Sequence, residues 1–220
     1  MENDTTENLI HGIDVSRWQG TNIDWDKVKA DGFLFAFVKA TDGSAYKRQF
    51  IDMEITQANN AKNAGLKIGF YHFAHPNSFG GLDKDAEDEA NYFLKTLEEF
   101  PKPDLPLVFD FEDEKMVLTQ KDTVQWINTF RAIINNAGFE LMMYSYKSYL
   151  DQMLPADHKF GDMPLWLARY PKIFDITKFP ENPIGWNSWE IWQYSQQGIV
   201  NGIAANTDLN LMTPEFYGKY

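Results

Sequence analysis

Short runs rich in Val, Ile and Phe alternate along this chain with longer segments of helical period, and that alternation restricts the fold more than any other feature. Strands separated by helices read as βα units around a parallel sheet. Strands are expected at Ile10–Val15, Phe33–Ala40, Lys67–Phe73, Leu107–Phe111 and Glu140–Tyr144, and then in PLWLARY, EIWQY and DLNLM. Helices are expected in DWDKVKADG, over Asp52–Ala64, along the stripe Ala86, Ala90, Phe93, Leu97 and Phe100, over the stripe Val124 to Ile134, and in KSYLDQML. Gly32, Gly65 and Gly138 stand where helices stop, and the proline-bracketed PKPDLP is a loop. Eight strands with about five helices make an α/β chain of an abbreviated TIM-like barrel.

A chain of 220 residues that is 44% hydrophobic suits one core. A polar segment over residues 1–9, a barrel over 10–213 and a tail over 214–220 are the expected divisions. With no Cys there is neither a disulfide framework nor a thiolate zinc site, and no H-E-x-x-H occurs. No apolar run approaches the roughly 20 residues of a membrane span, and MENDTTENLI is unlike a signal peptide. The expectation is a monomer made in the cytoplasm, without membrane insertion. A net charge of −12 with no clustered Lys or Arg argues against nucleic-acid binding. Seven Trp, ten Tyr and seventeen Phe form the core and also suit stacking on sugar rings.

The stretch LVFDFEDE sets two acids, Asp110 and Glu112, in an otherwise buried strand. Residues two apart share a face, so these acids project together with Cα atoms roughly 6.6 Å apart, while Phe109 and Phe111 take the other face. At the carboxyl end of a barrel strand they would stand in the mouth, where active sites of this fold are built. Asp14 ends strand one, Tyr71 and Phe73 close strand three, Trp192 and Tyr194 close strand seven, these four aromatics being candidate substrate-binding walls, and Asp208 opens strand eight. Crowded carboxylates hold a proton to high pH, which sets a general acid beside an anion, the chemistry of glycoside hydrolysis.

The blocks HGIDVSRWQG, FVKATDG, GFYHFAHP, LVFDFED, PLWLARY and WEIWQYSQQGIVNGIAANTDLNLM, in this order, resemble the glycoside hydrolase family 25 lysozymes. The resemblance runs from about His11 to Met212. It implies a cofactor-free muramidase that cleaves the β-1,4 bond between N-acetylmuramic acid and N-acetylglucosamine in bacterial peptidoglycan, as phage endolysins and autolysins do. It also implies Glu112 as proton donor, Asp110 as its partner acid, Asp14 and Asp208 as the other rim acids, and Tyr71, Tyr144, Trp166 and Trp192 as cleft walls. Asp110 could attack the anomeric carbon or orient the substrate's own acetamido group, and acids at i and i+2 on one strand favour the second. Asp42 in ATDG, where the family often has Glu, is read as rim support.

Two other readings use the same residues. One is a phosphoesterase whose acids hold magnesium or manganese, though no glycine-rich phosphate loop is present and Arg169 is the clearest basic candidate at the mouth. The other is a sugar-binding barrel without chemistry, against which the complete set of acids argues. His72 and His75 read as buried or turn histidines, and DKDAEDEAN as a solvated helix start.

Overall fold

The computed structural model describes residues 9–220, so the expected N-terminal segment, apart from Leu9, lies outside the described residues. Eight strands close into a barrel in chain order. They are β1 (Ile10–Val15), β2 (Phe35–Asp42), β3 (Lys67–Phe73), β4 (Leu107–Asp110), β5 (Leu141–Tyr146), β6 (Leu165–Ala168), β7 (Ile191–Gly198) and β8 (Thr207–Met212). The helices are α1 (Trp25–Ala30), α2 (Arg48–Asn63), α3 (Leu82–Leu97), α4 (Gln120–Asn136), α5 (Lys147–Met153) and α6 (Pro214–Gly218). None of the described helices is long and apolar enough to cross a membrane.

The fully parallel sheet expected from the alternation is corrected at one place. Strands β1 to β7 are parallel in sequence, but β8 runs antiparallel to both β7 and β1. The connection between β7 and β8 carries no helix, and a parallel return needs a crossover of a dozen or more residues. Reversal puts the start of β8 at the end of the barrel where the parallel strands finish.

Alternation along the strands divides the apolar residues into two layers. Ile13, Val38, Phe70 and Phe109 point outward and pack under the helices, whose buried faces carry Ala86, Ala90, Phe93, Trp126 and Phe130. Phe35, Phe37, Val108, Met142, Trp166, Ile191 and Met212 fill the barrel. Space for the rings comes from glycines: a Cβ on Gly12 would lie 2.2 Å from the Phe35 ring, and one on Gly69 2.2 Å from the Phe37 ring.

The expected tail is a folded element. Thr213 caps α6 by accepting from the Phe216 N–H, with Pro214 in the first turn. Phe216 joins the barrel-filling cluster, and Lys67, at the start of β3, donates to the Tyr217 carbonyl at 2.8 Å. Helix α6 therefore closes the floor opposite the mouth. It escapes a periodicity reading because five residues are too few to show a stripe.

Gly12→Ala forces a methyl group into the Phe35 ring and is expected to cost about 1–3 kcal/mol of stability. Urea unfolding checks this, and an unchanged midpoint would contradict the ring-over-glycine packing.

Candidate active site

Asp14, Asp110, Glu112 and Asp208 converge on one cavity of about 330 Å³ at the mouth, walled by Tyr71, Val108, Tyr144, Trp166 and Gln193. Asp110 is the last residue of β4 and Glu112 follows two residues on, while Phe109 and Phe111 stack on each other in the outer layer with centroids 5.3 Å apart. Asp14 and Asp208 are directly opposite in the antiparallel β1–β8 pair. A wider cleft of about 1760 Å³ shares Glu112, Tyr144 and Asp208 with the cavity and extends past Tyr146, Lys147, Arg169 and Phe179.

The four acids are not electrostatically equivalent. Burial, then the charge of neighbouring Glu112, holds Asp110 well above the usual carboxylate range. Burial and the charge of Asp14 push Glu112 up to about 7, against the pull of Lys39. Asp208 rises to about 9 through burial, the charge of Asp14 and the hydrogen bond that it shares with Asp14. Burial also raises Asp14, but hydrogen bonds from Asn210, Gln193 and Asp208 oppose the rise. The proton shared by Asp14 and Asp208 therefore rests on Asp208.

Two relays prepare Asp14 for its charge. The Tyr144 hydroxyl donates to Gln193 Oε1 at 2.8 Å, which turns Gln193 Nε2 toward Asp14 Oδ2 at 2.8 Å. The Trp166 indole donates to Asn210 Oδ1 at 2.8 Å, which turns Asn210 Nδ2 toward the same oxygen, again at 2.8 Å. Each aromatic donor fixes the orientation of an amide, and each amide then presents only N–H groups to the carboxylate. By contrast, Asp110 Oδ1 is buried without a partner among the described residues.

Irregularities in two strands decide which side chains reach this region. In β2 the register slips between Lys39, paired with Tyr71, and Thr41, paired with His72. The bulge sends Thr41 outward to bond His72 Nδ1 at 2.8 Å and brings Asp42 back to the side of Lys39, whose Nζ it meets at 2.5 Å. Asp42 lies at the rim, outside the residues lining the cavity, and also meets His75 Nε2 at 2.8 Å. Phe73, equally outside the lining, lies 4.8 Å beneath the Lys39 ammonium. In β7 the register slips between Gln193 and Ser195, leaving Tyr194 as the extra residue.

The expected wall role of Trp192 and Tyr194 is therefore corrected. Ile191 and Gln193 face the barrel, so the intervening Trp192 faces away; its indole donates to the Arg169 carbonyl at 2.8 Å and packs among Phe174, Phe179 and Trp189. Tyr194 lies on Phe174 with centroids 4.4 Å apart. Tyr71, Tyr144 and Trp166 do line the cavity, as expected. Residues that the sequence reading missed are Gln193, Asn210 and Lys39. Gln193 and Asn210 stand in register on β7 and β8, a signal only once that pairing is known. Lys39 shares the alternation of Phe35 and Phe37, which would have placed it inside the barrel. The acid-rich start of α3 is not wholly solvated: Glu89 is buried and accepts from His72 Nε2 at 2.8 Å.

A barrel with four carboxylates gathered at its mouth, some held protonated and one prepared for charge, is the site of a glycoside hydrolase. The chain belongs to the glycosyl hydrolases family 25, whose family profile matches residues 13–203. Lysozyme M1 of Streptomyces globisporus is 32% identical over 91% of this chain and 67% of its own length. The lysozyme of Streptococcus phage Cp-7 is 31% identical over 89% of this chain, which spans about half (53%) of that protein. The bacterial lysozyme from Streptomyces coelicolor has the same fold, with a TM-score of 0.75 and 29% identity over 93% of this chain and 92% of that one.

A carboxyl whose pKa rises on folding contributes stability that is complete below its unfolded value and is lost as pH climbs through its folded value. For Glu112 that window runs from 4.5 to about 7. Glu112→Gln does not ionise, so its stability relative to the parent chain is expected to grow by roughly 1–3 kcal/mol between about pH 5 and about pH 8. Denaturant unfolding at both pH values measures this. A difference independent of pH would refute the raised pKa.

Proposed function

We propose that this chain is a muramidase that cleaves the β-1,4 bond between N-acetylmuramic acid and N-acetylglucosamine in bacterial peptidoglycan, with Glu112 as general acid and base and Asp110 orienting the substrate's acetamido group. The observation that carries this reading is the pairing of Glu112, held protonated near neutrality, with an Asp110 oxygen that is buried and has no partner among the described residues. An acetamido N–H supplies the donor that this oxygen lacks. Glu112 gives its proton to the glycosidic oxygen as the bond to the anomeric carbon breaks, and the acetamido carbonyl oxygen attacks that carbon from the other side. Glu112, now a carboxylate, takes a proton from the water that opens the cyclic intermediate, which returns the acid and gives net retention.

The remaining residues support the same course. Asp14, with its amide donors, and Asp208, sharing its proton, place negative potential where the sugar ring becomes positive. The wider cleft has room for neighbouring sugars of the glycan strand. Family membership disfavours both the phosphoesterase and the non-catalytic readings. The kinship with a phage lysozyme is consistent with an enzyme acting on the bacterial wall.

Digestion of purified peptidoglycan followed by mass analysis of the new reducing ends tests the bond. Muramic acid ends are expected, and glucosamine ends would overturn the assignment. Glu112→Gln, which keeps shape and loses the proton, is expected to lower turnover about a hundredfold or more while remaining folded. Substantial wall lysis by that variant would remove Glu112 from its role. Exhaustive dialysis against a chelator is expected to leave activity unchanged, and a loss restored by magnesium would revive the phosphoesterase.

A further inference from the structure

His75 lies two residues beyond the end of β3 and outside the residues lining the cavity, yet it joins three parts of the mouth. Its Nε2 is 2.8 Å from Asp42 Oδ1 at the end of β2, and its Nδ1 is 2.7 Å from Asp113 Oδ2. Asp113 is the neighbour of Glu112 in the segment that leaves β4. We propose that His75 is a positioning residue, whose imidazolium ties Asp113 to Asp42 and so holds the Glu112-bearing segment against the end of β2.

The charge follows from hydrogen-bond geometry. A neutral imidazole has one N–H and one lone pair, so one ring nitrogen would face its carboxylate lone pair to lone pair. Both contacts are satisfied only when both nitrogens carry protons. The surroundings agree. Hydrogen bonding to Asp42 outweighs desolvation and, with the bond to Asp113, raises His75 to about 9. Burial would raise Asp42, but the bond from His75 and the charge of Lys39 hold it well below the usual carboxylate range.

Charged and aromatic groups of β2, β3 and α3 surround this ring. From β2 come Asp42 and, behind it, Lys39; the β3 end contributes Phe73, with its ring centroid 5.0 Å away. From α3, Glu89 accepts the His75 backbone N–H, and Asp85 holds Asn77, whose side chain donates to the His75 carbonyl. Asp113 is also restrained locally, because its carbonyl accepts from Tyr149 and its second carboxylate oxygen from the Lys115 N–H. Those bonds stay within the β4 and β5 side of the mouth. Beyond the bond from the Ala74 N–H to the Asp110 carbonyl at the strand end, the bond to His75 ties Asp113 across to β2 and β3, the side that carries Lys39.

This role rests on Glu112 as the acid, so one test is independent of activity. In the intact chain labelled with nitrogen-15 at histidine, both His75 ring nitrogens are expected to be protonated at about pH 7 and to titrate at about 9. An unprotonated ring nitrogen at about pH 7, or a midpoint near the ordinary 6.5, overturns the proposal. In kinetics, the parent rate is expected to fall about tenfold per pH unit above about 7, as Glu112 loses its proton, and to fall more steeply, by a further tenfold or so in total, as His75 loses its proton at about 9. His75→Gln is expected to lower kcat about tenfold or more, with KM within about threefold, and to lose the steepening. His75→Arg keeps a cation with several donors and does not titrate, so it is expected to retain most of kcat, also without the steepening. An unchanged kcat in His75→Gln, or a parent profile that does not steepen, counts against the clamp. Should His75→Gln fail to fold, the parent profile and the nitrogen titration still decide. Full activity of Glu112→Gln would instead defeat the proposed function while leaving the titration of His75 as it stands.

Discussion

The antiparallel pairing of β8 with β1 closes the barrel and at the same stroke sets Asp14 opposite Asp208. Two carboxyls so placed in a buried site cannot both ionise without mutual repulsion, so one keeps a proton and donates it to the other. That sharing supplies an anion and a neutral acid on the wall facing Glu112. Had β8 been parallel, Asp208 would have opened its strand at the floor, and the mouth would have lost one of its four acids.

A barrel mouth with four acids is costly unless each charge is partnered or withheld. Asp14 receives amide donors whose orientation is set by Tyr144 and Trp166. Lys39, buried beside them, draws down the titration of Asp110 and Glu112, while Asp42 and the Phe73 ring hold its ammonium. Behind Lys39, Glu54 is pushed to about 8 by burial, despite bonds from Tyr46 and the Arg17 N–H. The mouth is thus electrostatically strained, and the strain keeps Glu112 protonated where a solvent-exposed glutamate would be ionised. The aromatic layers beneath it, with Phe35 and Phe37 seated over glycines, give this cluster a floor that does not yield.

Much of the architecture was legible because the relevant signals are local. Strands β1 and β3 have the limits that their apolar runs imply, and the helix stripes follow from period alone. The four acids and Tyr71 were found because a strand end at a barrel mouth is a position in sequence as well as in space, whereas Tyr144 and Trp166 followed from the family resemblance. Two expectations failed, both in β7: Trp192 at a simple change of face and Tyr194 at a bulge. In β2 the bulge takes Thr41 out and brings Asp42 in; in β7 the residue facing the cavity is Gln193, with Trp192 turned away and Tyr194 displaced by a bulge. A bulge adds one residue to a strand without altering its composition, so alternation cannot reveal it.

The sequence by itself determined the number of strands and the acids available for chemistry, since each depends on residue type and spacing over a few turns of chain. The tertiary structure decided the direction of β8, the face presented at each bulge, the burial of Lys39 among the acids and the bridge from Asp42 through His75 to Asp113. These depend on which strands become neighbours. Protonation belongs with them, because a carboxyl's affinity for its proton is set by burial and by charges brought from distant parts of the chain.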